Sequence, residues 1–157
     1  MKTNLFLILS LAVLFQTVSC HKAPKCWGEK SRNTGIIISD TVICSNCTMI
    51  AEEENHFVIN NQTALNRLIY YNYGNNGECQ LNSFDFSKYT ILGVNTLATC
   101  NHKVVKDVVI NEETKTYTYL IQINECGNCS EQSYLQNFVL IPKIKSGYKV
   151  DFIVERY

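Results

Sequence analysis

Apolar residues follow two regimes along this chain. From Leu5 to Phe15 they form a nearly unbroken run, LFLILSLAVLF. From Gly35 onward they come in short runs divided by polar turns. The first run is too short to cross a bilayer, which takes ~20 apolar residues. Lys2 precedes it and small residues fill much of positions 17–20, so residues 1–19 read as a secretory signal peptide. The stretch HKAPKCWGEKSRNTG that follows Cys20 shows neither helical nor strand periodicity, and it contains Pro24, Gly28 and Gly35. It reads as a flexible tether over residues 20–35, ahead of a folded body over residues 36–157.

Within the body most runs have strand character. GIIISD, residues 35–40, is β-branched and predicts a strand that Thr41 to Cys44 can continue. Thr48 to Ala51 and His56 to Ile59 are further strand candidates, separated by the acidic run Glu52–Glu53–Glu54, which reads as a solvated strand end. One stretch has helical spacing. In NNQTALNRLIYYNYGNN, Leu65, Leu68 and Ile69 share a face. Asn61 fits as N-cap, Tyr70 to Tyr73 extend the apolar stripe, and Gly74 supplies the stop. Strands resume at Tyr89–Asn95, and Lys103–Ile110 and Thr116–Ile123 flank the turn NEETK as a hairpin. Leu120 interrupts the alternation of the second arm, which predicts burial on both of its faces. Phe138–Ile141 and Lys149–Val154 are expected to pair around KSGY, with Pro142 at a strand end because it cannot donate to a ladder. The sum is an α+β domain, one helix packed on a mostly antiparallel sheet and stapled by disulfides.

Composition narrows the class. About 137 residues remain after the signal, enough for one domain with its own core. Loss of Lys2 with the signal leaves 13 of the 14 basic residues against 14 acidic ones. With no basic patch, nucleic acid is not an expected partner. The eight cysteines carry more information. An exported chain meets an oxidising compartment, where disulfides are the default. Cys26, Cys44, Cys47, Cys79, Cys100, Cys126 and Cys129 are the disulfide candidates. If Cys20 is modified, these seven form up to three bridges and leave one thiol; if it is not, eight cysteines allow four bridges.

Cys44-Ser45-Asn46-Cys47 and Cys126-Gly127-Asn128-Cys129 are CxxC motifs. That spacing serves redox centres, where a helix N-terminus lowers a thiol pKa, and it supplies zinc ligands in pairs. Neither motif opens a long amphipathic helix, and zinc needs thiolates kept reduced. Structural disulfides are therefore expected, with the motifs bonded to each other or each closed on itself. His56 and His102 border strands, and His21 lies in the tether. None has a ligand partner at suitable spacing, and neither GxSxG, HExxH nor a phosphate loop occurs. No residue is assigned to catalysis, metal or a cofactor. Phe84, Phe86 and Tyr89 are expected core anchors, and Asp85 a turn residue followed by Ser87 and Lys88. Sequons at Asn46, Asn61 and Asn128 occur at the frequency expected of an Asn/Ser/Thr-rich chain.

Val18-Ser19-Cys20 resembles the lipobox of bacterial lipoproteins. That resemblance implies cleavage before Cys20, a diacylglycerol on its sulfur and acylation, as with palmitate, of its amine. Thr17 stands where that family carries Leu, which keeps cleavage after Ser19 by a general signal peptidase as the alternative. The sequence has no second apolar span, so attachment would be through lipid alone. FDFSKYTILGV (Phe84–Val94), the hairpin, LIPKI and GYKVDF together resemble small Bacteroidetes lipoproteins and, more distantly, PrcB-type subunits of protease complexes, over roughly residues 56 to 157. This implies a non-catalytic binding or accessory role with an envelope protein as partner. The expected location is the cell envelope, on the outer membrane and facing the periplasm. A thiol–disulfide oxidoreductase using a CxxC motif, and an unanchored secreted disulfide-rich protein, are the two alternatives.

Overall fold

The computed structural model describes residues 31–41, 43–45, 48–49, 55–70, 80–126 and 129–157. The signal segment, Cys20, His21, Cys26, Cys47, Cys79, the Glu52–Glu54 run and the sequons at Asn46 and Asn128 lie outside these residues. Twelve strands and one helix occupy the described residues: β1 (Arg32–Gly35), β2 (Ser39–Asp40), β3 (Cys44–Ser45), β4 (Thr48–Met49), β5 (His56–Ile59), α1 (Gln62–Arg67), β6 (Ile69–Tyr70), β7 (Gln80–Leu81), β8 (Tyr89–Thr99), β9 (His102–Asn111), β10 (Thr116–Glu125), β11 (Gln132–Pro142) and β12 (Lys149–Arg156).

Two four-stranded sheets dominate. An outer sheet has the order β1-β9-β10-β12, and a middle sheet the order β2-β11-β8-β5. The middle sheet is antiparallel throughout. The outer sheet is mixed: β9 and β10 form the expected hairpin, while β1 and β12 join it in parallel. Two short ladders, β3 with β7 and β4 with β6, complete the pairing.

The sheets pack face to face. Leu92, Val94 and Ala98 of β8 and Val139 and Ile141 of β11 meet Val104 and Val108 of β9 and Tyr117, Tyr119, Ile121 and Ile123 of β10. The opposite face of the middle sheet carries a second core, in which Ile91, Phe138 and Ile59 pack with Leu65 of α1 and with Ile43, and Phe84 and Phe86 close over them. Burying a large apolar side chain is worth ~1.5–3 kcal/mol each, so both cores draw on the same two strands. This is why β8 is buried on both faces, and Ile91, Leu92 and Val94 are wholly inaccessible.

Several expectations change in three dimensions. The helix is six residues long, with Asn61 accepting from the Ala64 N–H at 2.8 Å as the N-cap. It stops at Arg67, because Ile69 and Tyr70 pair with β4 rather than extend the apolar stripe. The strand buried on both faces is β8, not the arm containing Leu120. Leu120 is half-buried on the outer face, and the inward row of β10 alternates regularly. Phe138–Ile141 and Lys149–Val154 do not pair with each other. They belong to different sheets, β11 against β8 and β12 against β10. Pro142 does end its strand.

The GIIISD run is not one strand, and pairing begins earlier than expected. Arg32–Gly35, at the end of the predicted tether, is β1 of the outer sheet, while Ser39–Asp40 is β2 of the middle sheet. Between them the chain crosses from one sheet to the other. The Ile36 N–H still reaches Val108 O (3.0 Å), and the Ile38 N–H reaches Leu140 O (2.9 Å). Gly35 turns the corner at φ 69°, where a Cβ would overlap the Val108 carbonyl. Ile36 and Ile37 drop against the core between the sheets.

Gly93 shows how tightly the middle sheet is built, since a Cβ there would overlap the Phe138 ring across the β8–β11 pair. Gly93→Ala is expected to destabilise the fold by ~1–3 kcal/mol through overpacking. The added Phe138→Leu change should recover part of that loss. Urea denaturation of the single and double variants checks both statements.

Candidate functional site

The strand directions give the body two distinct ends. At one end the chain enters: Ser31 Oγ accepts from the Val104 N–H (3.0 Å), the turn after β8 and the loop before β11 lie close by, and the C-terminal Tyr157 N–H donates to Ile123 O. The far end carries the β9–β10 turn, the approach to β8 and the Lys143–Tyr148 turn before β12.

Cysteine chemistry sits at the entry end. Cys100 and Cys129 form a disulfide, with 6.0 Å between Cα atoms and 29 residues of separation. It ties the end of β8 to the start of β11, and the Cys100 N–H donates to Glu131 O (3.1 Å) beside it. Cys126 is also disulfide-bonded. The motif Cys126–Cys129 is thus split, because its second sulfur bonds to Cys100 and its first to a different residue. For Cys129 this differs from the expectation that a CxxC motif closes on itself or on the other motif. A redox centre needs the two thiols to close on each other. The register explains the difference: Thr99 lies opposite Gln132, which brings Cys100 to Cys129. Cys44 opens β3 opposite Leu81.

The remaining candidates have structural surroundings. His56 stacks on Phe152 with centroids 4.6 Å apart, and His102 Nδ1 lies 2.7 Å from Thr99 O. Asp85 is a turn residue as expected. Its carboxylate accepts from the Ser87 N–H and hydroxyl and meets Lys88 at 3.3 Å, and the Ser87 bonds hold it below the usual carboxylate range. Lys106 is the charged residue most deeply placed in the sandwich, and it reaches out to pair with Asp40 of β2. Beside it Tyr119 donates to Asn137 O (3.2 Å), and the Asn137 amide donates to Thr96 Oγ1 (2.9 Å). Burial, and then the Asp40 charge, push the Tyr119 phenol up. Among the described residues, no three His, Cys, Asp or Glu side chains are grouped to hold a metal.

A cleft of about 260 Å³ opens at the far end, between Val58, Asn60 and Thr90 on one side and Ile144, Tyr148 and Val150 on the other. Its rim is a polar cluster that no local motif announced. Lys145 Nζ lies 2.5 Å from Glu112 Oε1, the Tyr148 hydroxyl donates to the other Glu112 oxygen, and Tyr117 meets the Tyr148 ring edge-on at 5.5 Å. Glu112 sits in the NEETK turn, more than thirty residues from Lys145, so only the sheet register brings them together. The hydrogen bond from Lys145, then that from Tyr148, holds the Glu112 carboxyl below its usual value, while Glu112 raises Lys145 and Tyr148 above theirs. Lys143 differs from Lys145. Its Nζ donates to two carbonyls, Phe86 O (2.6 Å) and Asn60 O (3.2 Å), and no carboxylate among the described residues meets it. The floor is fixed by two hydroxyls that accept backbone N–H groups, Thr90 from Ile144 and Tyr117 from Lys145. The arrangement can hold an anionic or hydrogen-bonding group beside the apolar side chains of Val58, Ile144 and Val150. The only local signal for it was KSGY, a glycine turn between lysines and an aromatic residue.

No family model, curated protein or solved structure matches this chain.

Two measurements follow from this geometry. Replacing Cys100 and Cys129 by Ser frees a loop of 29 residues, with an expected loss of about 3–4 kcal/mol from the chain-entropy relation. Denaturant unfolding reads that loss, and non-reducing peptide mapping should recover the Cys100–Cys129 pair. The Glu112 cluster sets a pH dependence. A depressed carboxyl stabilises the fold above its ordinary value of 4.5 and loses that contribution as pH falls through the lower folded value. Raised Lys145 and Tyr148 contribute fully below their ordinary values of 10.5 and 10.0 and lose it as pH rises through the folded ones. The Tm difference between the wild type and Glu112→Gln should therefore be flat from mildly acidic to mildly alkaline pH. It should shrink at both extremes.

Proposed function

We propose that the chain is a non-catalytic, lipid-anchored binding or accessory protein of the cell envelope, held to the outer membrane through Cys20 and facing the periplasm. The observation that carries this reading is the polarity of the body. The chain enters at Ser31 and β1, next to the Cys100–Cys129 disulfide, while the cleft and its polar rim lie at the opposite end. A lipid on Cys20, eleven positions before Ser31, would place the entry end toward the membrane and present the cleft to the periplasm. Two acyl-chain signals suffice for stable anchoring. The split of Cys126 from Cys129 favours a structural over a redox use of these cysteines. The likeness of residues 56–157 to small lipoproteins and to PrcB-type subunits adds an envelope protein as the partner class.

The test is intact-mass analysis with fractionation. The wild-type chain should partition with membranes and carry a diacylglyceryl-plus-acyl mass on Cys20. Cys20→Ser should release a folded, soluble body. A wild-type chain with an unmodified N-terminus at Cys20, found in the soluble fraction, would overturn the anchor.

A further inference from the structure

Among the described residues, one side of the sandwich is closed by a crossing of the chain, while the other is bridged by side chains, with His56 stacked on Phe152. The Gly35–Ser39 crossing seals the side where β1 and β2 are the edges. On the opposite side the edges are β12 and β5. His56 and Val58 of β5 share the inward face with Val94 and Leu92, yet His56 is exposed and Val58 is 41% exposed. Val150, Phe152 and Val154 of β12 share the inward face with Tyr117, Tyr119 and Ile121, yet none is fully buried. The result is an apolar seam between two strand edges, leading into the 260 Å³ cleft at its far end.

The backbone of β12 is aimed at that seam. The Lys149 N–H donates to Lys115 O (3.1 Å) and the Tyr157 N–H to Ile123 O (3.0 Å), so the odd-numbered residues turn their polar groups toward β10. Alternate residues of a strand point opposite ways, so Val150, Phe152 and Val154 turn theirs outward. Among the described residues no strand pairs with that edge. Such a row of unpaired groups is a template for an added strand.

We propose that β12 and the far-end cleft take up the extended C-terminal segment of a partner protein. Charge selects the direction. A strand added antiparallel to β12 ends where β12 begins, at the Lys143–Tyr148 turn. The positive charges of Lys145 and Lys149 are met there by Glu112 and Asp151, but Lys143 is held by carbonyls alone. Among the described residues the Ser146 and Gly147 N–H groups have no backbone or side-chain acceptor, and none lies close to Gly147, at φ 80°. A terminal carboxylate fits one uncompensated ammonium and two free N–H donors. A strand added in the parallel sense would instead bring a free amine there. The last apolar side chain of the segment enters the cleft against Val58, Ile144 and Val150, and alternate residues before it lie on Phe152 and His56.

This inference rests on the reading of the chain as a binding protein and is independent of the anchor. Its test uses the full chain in detergent micelles and an octapeptide of alternating threonine and valine ending in valine, as the free acid and as the C-terminal amide. The free acid should bind at least ten-fold tighter than the amide, and Lys143→Gln should erase the difference. Amide exchange followed by NMR should slow at least ten-fold at Val150, Phe152 and Val154 on saturation, and should stay unchanged at Asp151, Ile153 and Glu155. Equal binding of acid and amide, or unchanged exchange at the three even-numbered positions at millimolar peptide, would overturn the proposal. So would a dimer in which those amides are already protected without peptide. A chain that carries the Cys20 lipid mass and fails the peptide assay would leave the envelope reading standing and remove only this partner.

Discussion

The structure depends on a single pair of strands buried from both sides. β8 and β11 lie side by side over eleven residues each, and both hydrophobic cores are built on their two faces. At the centre, Gly93 leaves the space that the Phe138 ring fills. This contact fixes the separation and register of the pair. A one-residue slip would exchange Leu92 and Val94 for Ile91 and Gly93 on the sandwich face, and every contact to the outer sheet would change with it. The disulfide at the end of the same pair holds that register a second time.

Two polar groups placed inside this sandwich are satisfied across the sheets. Tyr119 of the outer sheet bonds to Asn137 of the middle sheet, and Lys106 leaves the core to meet Asp40. A buried ammonium without a partner would be costly, so Lys106 requires the β1–β2 crossing that brings Asp40 to it. The same crossing closes one side of the sandwich. On the other side no comparable segment among the described residues joins β5 to β12, and the inward residues of both strands remain accessible. Closure of the first side thus follows from the path of the chain between residues 35 and 39.

Much of the strand content was legible because each long strand carries its own β-branched and aromatic run. The NEETK hairpin, the Asn61 cap, the Asp85 turn and the terminal position of Pro142 follow from local chemistry that needs no distant partner. Helix length was not legible because Ile69 and Tyr70 have helical spacing but find a strand partner in β4. Pairing was not legible where two strands flank a tight turn without forming a hairpin. Lys143 to Tyr148 carries the chain from the middle sheet to the outer one, and adjacency in sequence says nothing of that change. The cleft was invisible for the same reason: Asn60, Thr90, Glu112 and the Lys143–Tyr148 turn are four separate segments.

By itself the sequence determined what local physics can decide: a cysteine-rich composition, a run of strand-forming segments and a few caps and turns. Each of these depends on residues within a few positions of one another. The tertiary structure decided which sheet each strand joins, how Cys100 meets Cys129, which face of β8 serves which core and, among the described residues, where an edge is left free. These are matters of long-range register. Register is set by how whole faces pack, as at Gly93 and Phe138, and not by the preference of any single stretch.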